Sequence, residues 1–143
     1  MNVKDPLGKC ISIIYRYSII HANNKLKPYN ITGSQLTFFM TIVNMAGITQ
    51  EELSNHLKIN KSTTAKAIQS LEKNGYVIKK VSKKDRRAYN LYPTQKALEL
   101  YKKIRDLAFQ WDDVLCKGFS KEEKESIYKL IEKMAQNASE YIK

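Results

Sequence analysis

Apolar residues recur every three or four positions over most of this chain, and the exceptions are short. Leu7, Ile11, Ile14, Tyr15, Ile19 and Ala22 predict a first helix over 7–25, closed before Pro28. Thr32-Gly-Ser-Gln35 then spells a capping box, in which a Thr hydroxyl and a Gln amide satisfy free backbone N–H groups. After it Leu36, Phe39, Met40 and Val43 form a one-sided stripe that Gly47 breaks. Thr49-Gln-Glu-Glu52 is a second capping box and opens a short helix with Leu53 and Leu57 facing inward. Lys58-Ile59 makes a turn, and Asn60 can cap the next helix. There Thr64, Ala67, Ile68 and Leu71 fall at i, i+3, i+4 and i+7, an inward face, until Asn74-Gly75 stops the helix.

The periodicity changes after Gly75. Tyr76 to Val81 and Ala88 to Tyr92 are rich in β-branched and aromatic residues and predict two strands around the polar loop Ser82–Arg87. Pro93-Thr94 opens a long helix whose Ala97, Tyr101, Ile104, Ala108, Trp111 and Leu115 alternate spacings of four and three, a seam for helix-on-helix packing. Leu100, Leu107 and Val114 widen that seam, and Gly118 ends it. Ser120-Lys-Glu-Glu123 is a third capping box, followed by a helix with Ile127, Leu130, Ile131, Met134 and Tyr141 on one face. The predicted fold is mostly α with a small β-hairpin wing: a winged helix-turn-helix flanked by N- and C-terminal helices.

Charge narrows what such a fold can serve. Lys and Arg number 25 against 14 acids, a formal net charge of +11. That excess favours a polyanionic partner, because cations that neutralise phosphates release condensed counterions. No apolar run is long enough to span a bilayer, and the start of the chain lacks a signal-peptide pattern. Cys10 and Cys116 form neither a metal-ligand spacing nor a disulfide framework, so a cytoplasmic location is expected. His21 and His56 are lone histidines. No nucleophile–base pair, phosphate loop or metal motif is present in the sequence, so neither an enzyme nor a cofactor is expected.

The second helix of the helix-turn-helix and the wing both carry cations. With the inward face of the 61–73 helix assigned, Ser62, Thr63, Lys66, Gln69, Ser70 and Lys73 remain on its outer side. Such a helix fits the major groove of B-DNA, with its N-terminal outer residues at base edges. Ser62, Thr63 and Lys66 are therefore the expected base readers, Gln69 and Ser70 candidates for bases or phosphates, and Lys61 and Lys73 phosphate contacts. The wing loop carries Lys83, Lys84, Asp85, Arg86 and Arg87. One of Arg86 and Arg87 is expected to enter the minor groove, and the other to pair with Asp85 and hold the loop's shape; the sequence leaves open which does which. The bland alternatives are a solvated amphipathic helix and a charged tip that keeps a sheet edge soluble.

The stretch TQEELSNHL, the helix NKSTTAKAIQSLEKNGYV and the wing DRRAYNL resemble the winged helix of the MarR family of transcriptional regulators, and the flanking helices match that family's layout. Two departures concern the start of the long helix: Tyr92-Pro93-Thr94 stands where members carry Leu before the Thr, and Ala97 where Gly is common. The resemblance implies recognition through Ser62, Thr63 and Lys66, with Asp85, Arg86 and Arg87 in the wing. It implies a homodimer interlocked through residues 1–31 and 94–143, with 32–93 as the DNA-binding domain. It further implies a repressor of double-stranded DNA, released by a small aromatic or anionic effector bound near Tyr15, Phe39 and Trp111. Redox sensing through Cys10, and architectural or nonspecific DNA binding, are the competing expectations.

Overall fold

The computed structural model describes residues 4–142 and contains two compact units, one up to Ala108 and one from Phe109 onward. The first unit begins with helix α1, Leu7–Leu26, which gives way to a 3-10 turn at Lys27–Tyr29 where Pro28 removes a helical donor. A second 3-10 turn, Gly33–Gln35, leads into α2, Leu36–Asn44. Gly33 lies hard against α1: a Cβ there would sit 2.8 Å from the Ile19 carbonyl oxygen and 3.0 Å from the Ala22 Cβ. Its N–H donates to Asn23 Oδ1 at 2.6 Å, which fastens the end of α1 to the start of α2.

Helices α3, Gln50–Leu57, and α4, Lys61–Lys73, follow as a helix-turn-helix. Strands β1, Val77–Val81, and β2, Tyr89–Pro93, pair antiparallel with Lys79 opposite Leu91. Each strand begins one residue later than the sequence suggests, and Pro93 closes β2 rather than opening the next helix. A third extended segment joins them. Gly47 N–H donates to the Leu91 carbonyl at 2.7 Å, Leu91 N–H to the Ile48 carbonyl at 2.9 Å, and Thr49 bridges to Asn90. Thr94 then caps α5, Gln95–Leu115, through its Oγ1 to the Ala97 N–H.

The core of this unit gathers Leu26, Ile31, Phe38, Phe39, Ile42, Leu53, Ile68, Leu71, Tyr76 and Leu91. Phe39 meets Tyr76 edge-on, with ring centroids 5.7 Å apart. Burial and the neighbouring Tyr29 phenol push the Tyr76 hydroxyl above its ordinary pKa, and it donates to the Tyr29 carbonyl at 2.6 Å. Two predicted faces need correction. On α2 the fully buried residues are Phe38, Phe39 and Ile42, while Leu36, Met40 and Val43 are only half-buried. The helix is hemmed in by α3, α4 and β2, so a one-sided stripe underestimates what it buries. On α5 the first half of the supposed seam is spent inside this unit: Ala97 and Ile104 are buried, and Leu100, Tyr101 and Leu107 pack against the same core.

The second unit holds the end of α5 and α6, Lys121–Tyr141. Ser120 Oγ accepts the Glu123 N–H at 3.0 Å and Glu123 returns the bond to the Ser120 N–H at 3.0 Å. Lys124 pairs with Asp113, and the Tyr128 hydroxyl donates to Asp112 at 2.9 Å. Ile127, Leu130, Ile131, Met134 and Tyr141 all remain exposed in the single chain, as do Leu7, Ile11, Ile14 and Tyr15 of α1. No described helix is long and apolar enough to cross a membrane.

Candidate nucleic-acid interface

The two helices of the helix-turn-helix are set by short polar side chains. Thr49 Oγ1 accepts the Glu52 N–H at 3.1 Å, and Glu52 Oε2 accepts the Thr49 N–H at 2.9 Å, which fixes the start of α3. The chain leaves α3 through Lys58 in the left-handed conformation, φ 57°. Asn60 then turns it into α4: its Oδ1 accepts the Thr63 N–H at 2.8 Å and the Ser62 hydroxyl at 2.9 Å. Thr64, Ala67, Ile68 and Leu71 are buried, as their spacing predicts, and the buried Thr64 hydroxyl is satisfied by the Asn60 carbonyl. Gly75, at φ 81°, lets the chain turn sharply into β1.

That burial fixes which side chains face out. Lys61, Ser62, Thr63, Lys66, Gln69 and Lys73 are exposed along α4. Ser70 differs. It is half-buried, and its Oγ lies 2.9 Å from Gln35 Nε2, so it is engaged within the protein. Lys61 approaches Glu51 at 3.8 Å, a loose pair between exposed side chains that water and salt screen.

The wing tip is ordered by backbone bonds around one serine and one aspartate. Ser82 N–H donates to the Ala88 carbonyl at 2.9 Å, and Ser82 Oγ accepts the Lys84 N–H at 3.2 Å. Asp85 Oδ1 accepts the backbone N–H of Arg87 at 2.9 Å, while the Arg87 Nε stands 4.0 Å away. Asp85 therefore shapes the loop through the main chain at 87, and Arg87 is the arginine it pairs with. Arg86 makes no ion pair among the described residues and, with Lys83 and Lys84, projects as uncompensated positive charge. Below the tip, Lys79 and Lys80 lie over the Tyr89 and Tyr92 rings at 5.8 and 4.9 Å from their centroids. These strand cations were visible in the sequence but their pairing with tyrosines across the hairpin was not.

Two cavities border α4. One of about 500 Å³ opens between the start of α3 and the wing, lined by Thr49, Glu51, Ser54, Lys61, Arg87 and Tyr89 among others. The Ser54 hydroxyl there is buried without a hydrogen-bond partner. The other, about 190 Å³, is a groove lined by Ser34, Gln35, Phe38, Thr63, Lys66 and Ala67. Neither involves the sequence-predicted pocket residues. Phe39 is only 1% exposed and fills the core against Tyr76; Tyr15 is 63% exposed on α1; Trp111 belongs to the second unit. For Phe39 the apolar periodicity signalled packing. Cys10 and Cys116 are half-buried, and no cluster of three metal-ligating side chains occurs among the described residues.

Comparison with known proteins places this geometry. The MarR family model matches residues 29–88, the helix-turn-helix and most of the wing. The uncharacterized HTH-type transcriptional regulator YybA of Bacillus subtilis (strain 168) is 30% identical over 125 residues, 85% of this chain and 83% of that one. A MarR transcriptional regulator from Methanosarcina mazei Go1 superposes with a TM-score of 0.91 at 38% identity, over 95% of this chain and 98% of that one. A putative MarR family regulator from Listeria monocytogenes, complexed with 26mer DNA, superposes at 0.88 with 33% identity, over 96% and 91%. The long cationic helix, the basic wing and the flanking helices are thus the parts of a known DNA-binding architecture, and the chain belongs to the MarR family of winged helix-turn-helix transcriptional regulators.

Proposed function

We propose that the protein is a repressor that binds a palindromic operator as a homodimer and is released by a small aromatic or anionic ligand. The observation that carries the DNA reading is the exposed face of α4 beside the unpaired wing cations. Ser62, Thr63 and Lys66, in the first two turns, read base edges in the major groove. Lys61, Gln69 and Lys73 contact phosphates, and Lys83 and Lys84 hold the backbone beside the wing. Arg86 enters the minor groove, because Asp85 already engages Arg87. The Listeria monocytogenes neighbour with its bound 26mer DNA supports this docking.

The dimer rests on the apolar residues of α1 and α6 that the single chain leaves in water. Residues 1–31 and 94–143 supply the interface and 32–93 the DNA contacts. A repressor of this kind works in the cytoplasm. Selection of duplexes from a random pool tests the whole reading. The expected result is an inverted repeat with half-sites about 10 bp apart, bound on the order of 10³-fold more tightly than random duplex. Enrichment without a palindrome, or with a ratio near unity, would make the protein an architectural coat. Adding small aromatic carboxylates to the selected complex then tests release.

A further inference from the structure

Ser70 occupies the DNA-facing side of α4 one turn beyond Lys66, yet its partner is inside the protein. Gln35 reaches it from the start of α2. The Gln35 amide is fixed at both ends: Oε1 accepts the Thr32 N–H at 3.0 Å, and Nε2 donates to Ser70 Oγ at 2.9 Å. The Thr32 donor requires an acceptor, so it decides which end of the amide is oxygen and which is nitrogen. The last turn of α4 is tied separately, by Asn74 Nδ2 to the Asn30 carbonyl at 3.1 Å and by Lys96 Nζ to the Asn74 carbonyl at 2.8 Å.

We infer that the Gln35–Ser70 hydrogen bond is a strut that sets the rotation and tilt of the recognition helix, so that Ser70 and Gln35 are positioning residues for base reading rather than DNA contacts. The inference rests on the proposed reading of bases by Ser62, Thr63 and Lys66. The buried face of α4 is held by apolar packing, which is non-directional. A hydrogen bond, by contrast, weakens over a few tenths of an ångström and a few tens of degrees. With the Asn74 and Lys96 bonds at the last turn it makes up the directional contacts that fix the angle of the helix, and it is the one nearest the base readers. Thr63 lies about 10 Å along the helix from Ser70, so a tilt of about 5° moves it by about 1 Å, enough to break a base-edge hydrogen bond. Phosphate contacts by long lysine side chains tolerate such a shift.

The test uses a duplex that the wild-type protein enriches from a random pool, with random duplex of equal length as reference. Ser70→Ala leaves the Thr32 cap intact and should lower the specific-to-random affinity ratio about 10-fold, while affinity for random duplex stays within about twofold. Ser70→Thr, which keeps the hydroxyl, should restore the ratio. Gln35→Leu also removes the Thr32 cap and should lower the ratio at least as far, and adding Ser70→Ala to it should cost nothing further, the signature of two residues acting through one bond. Additive losses in the double variant would mean that Ser70 contacts DNA on its own, and the strut would be wrong. Lys66→Ala separates the two layers. If it lowers the ratio and Ser70→Ala does not, the strut alone is wrong. If Lys66→Ala leaves the ratio unchanged, base reading by α4 fails and the strut falls with it.

Discussion

Ile68 and Ile131 sit on amphipathic helices of similar pattern, yet Ile68 is fully buried and Ile131 is 50% exposed. The difference separates two regions of the molecule. In the winged helix, α2, α3, α4 and the hairpin supply each other's partners within one chain. On α6, and on the first half of α1, the apolar residues have no such cover in the single chain. A periodic stripe therefore states that a face is to be buried, and does not state by what. Monomers rarely leave so many large apolar side chains in water, and such surfaces mark association sites.

The comparison can be broken at its stronger end first. Phe39→Ala removes a buried ring that meets Tyr76 edge-on and should destabilise the fold by about 3–5 kcal/mol, read by denaturant unfolding. An exposed aromatic such as Tyr15 should tolerate Ala in the unassociated chain; an equal loss in both would erase the distinction. Leu130→Glu should act on the other region alone. It should halve the mass at micromolar concentration and leave helical content intact, with operator affinity falling at least tenfold because the second half-site is no longer joined to the first. A variant that keeps its dimer mass would show that α6 faces something else.

Smaller effects sharpen the DNA side. Lys66→Ala should cost about 1–3 kcal/mol of operator binding, and Arg86→Ala should reduce the salt slope by about one with little change in base preference. Arg87→Ala should do less to the slope if Asp85 holds the loop through its backbone N–H, a bond the substitution keeps. The smallest effect lies at the start of α6. The backbone N–H of Ser120 holds the Glu123 carboxyl below its ordinary 4.5. A depressed carboxyl stabilises the folded state above its unfolded pKa and loses that contribution as pH falls through its folded value. Helix α6 should therefore loosen below pH 4.5, and Glu123→Gln should weaken this pH dependence, as NMR titration of the α6 amides would record.

Much of the fold was legible because its signals are local. The Thr49 and Ser120 capping boxes, the Asn60 cap and the inward face Thr64–Leu71 each depend on residues within a few positions, and each forms as its spacing predicts. What the sequence left unread was non-local. Nothing near Gly47 shows that Gly47–Thr49 will pair with β2, since the partner lies some forty residues on. Ser70 looked like any outer residue of α4 until Gln35 arrived from another helix. Phe39 has the chemistry of a pocket residue, and its edge-on contact with Tyr76 comes from a residue far along the chain. Asp85 takes the backbone N–H of Arg87, a contact that no side-chain pattern reveals.

The root of the wing has one further consequence. Apart from the loose Lys79–Glu72 ion pair, the bonds that join the strands to the rest of the fold run from Gly47, Ile48 and Thr49 to Asn90 and Leu91 in the body of β2, whereas among the described residues the tip from Ser82 to Ala88 bonds only to itself. Mechanical support and exposed charge are thus divided between the strands and the tip of one hairpin. Tip residues can change in length, charge or identity without the scaffold registering it, which makes the wing the part of the molecule where a lineage can acquire a new operator preference at the least structural risk.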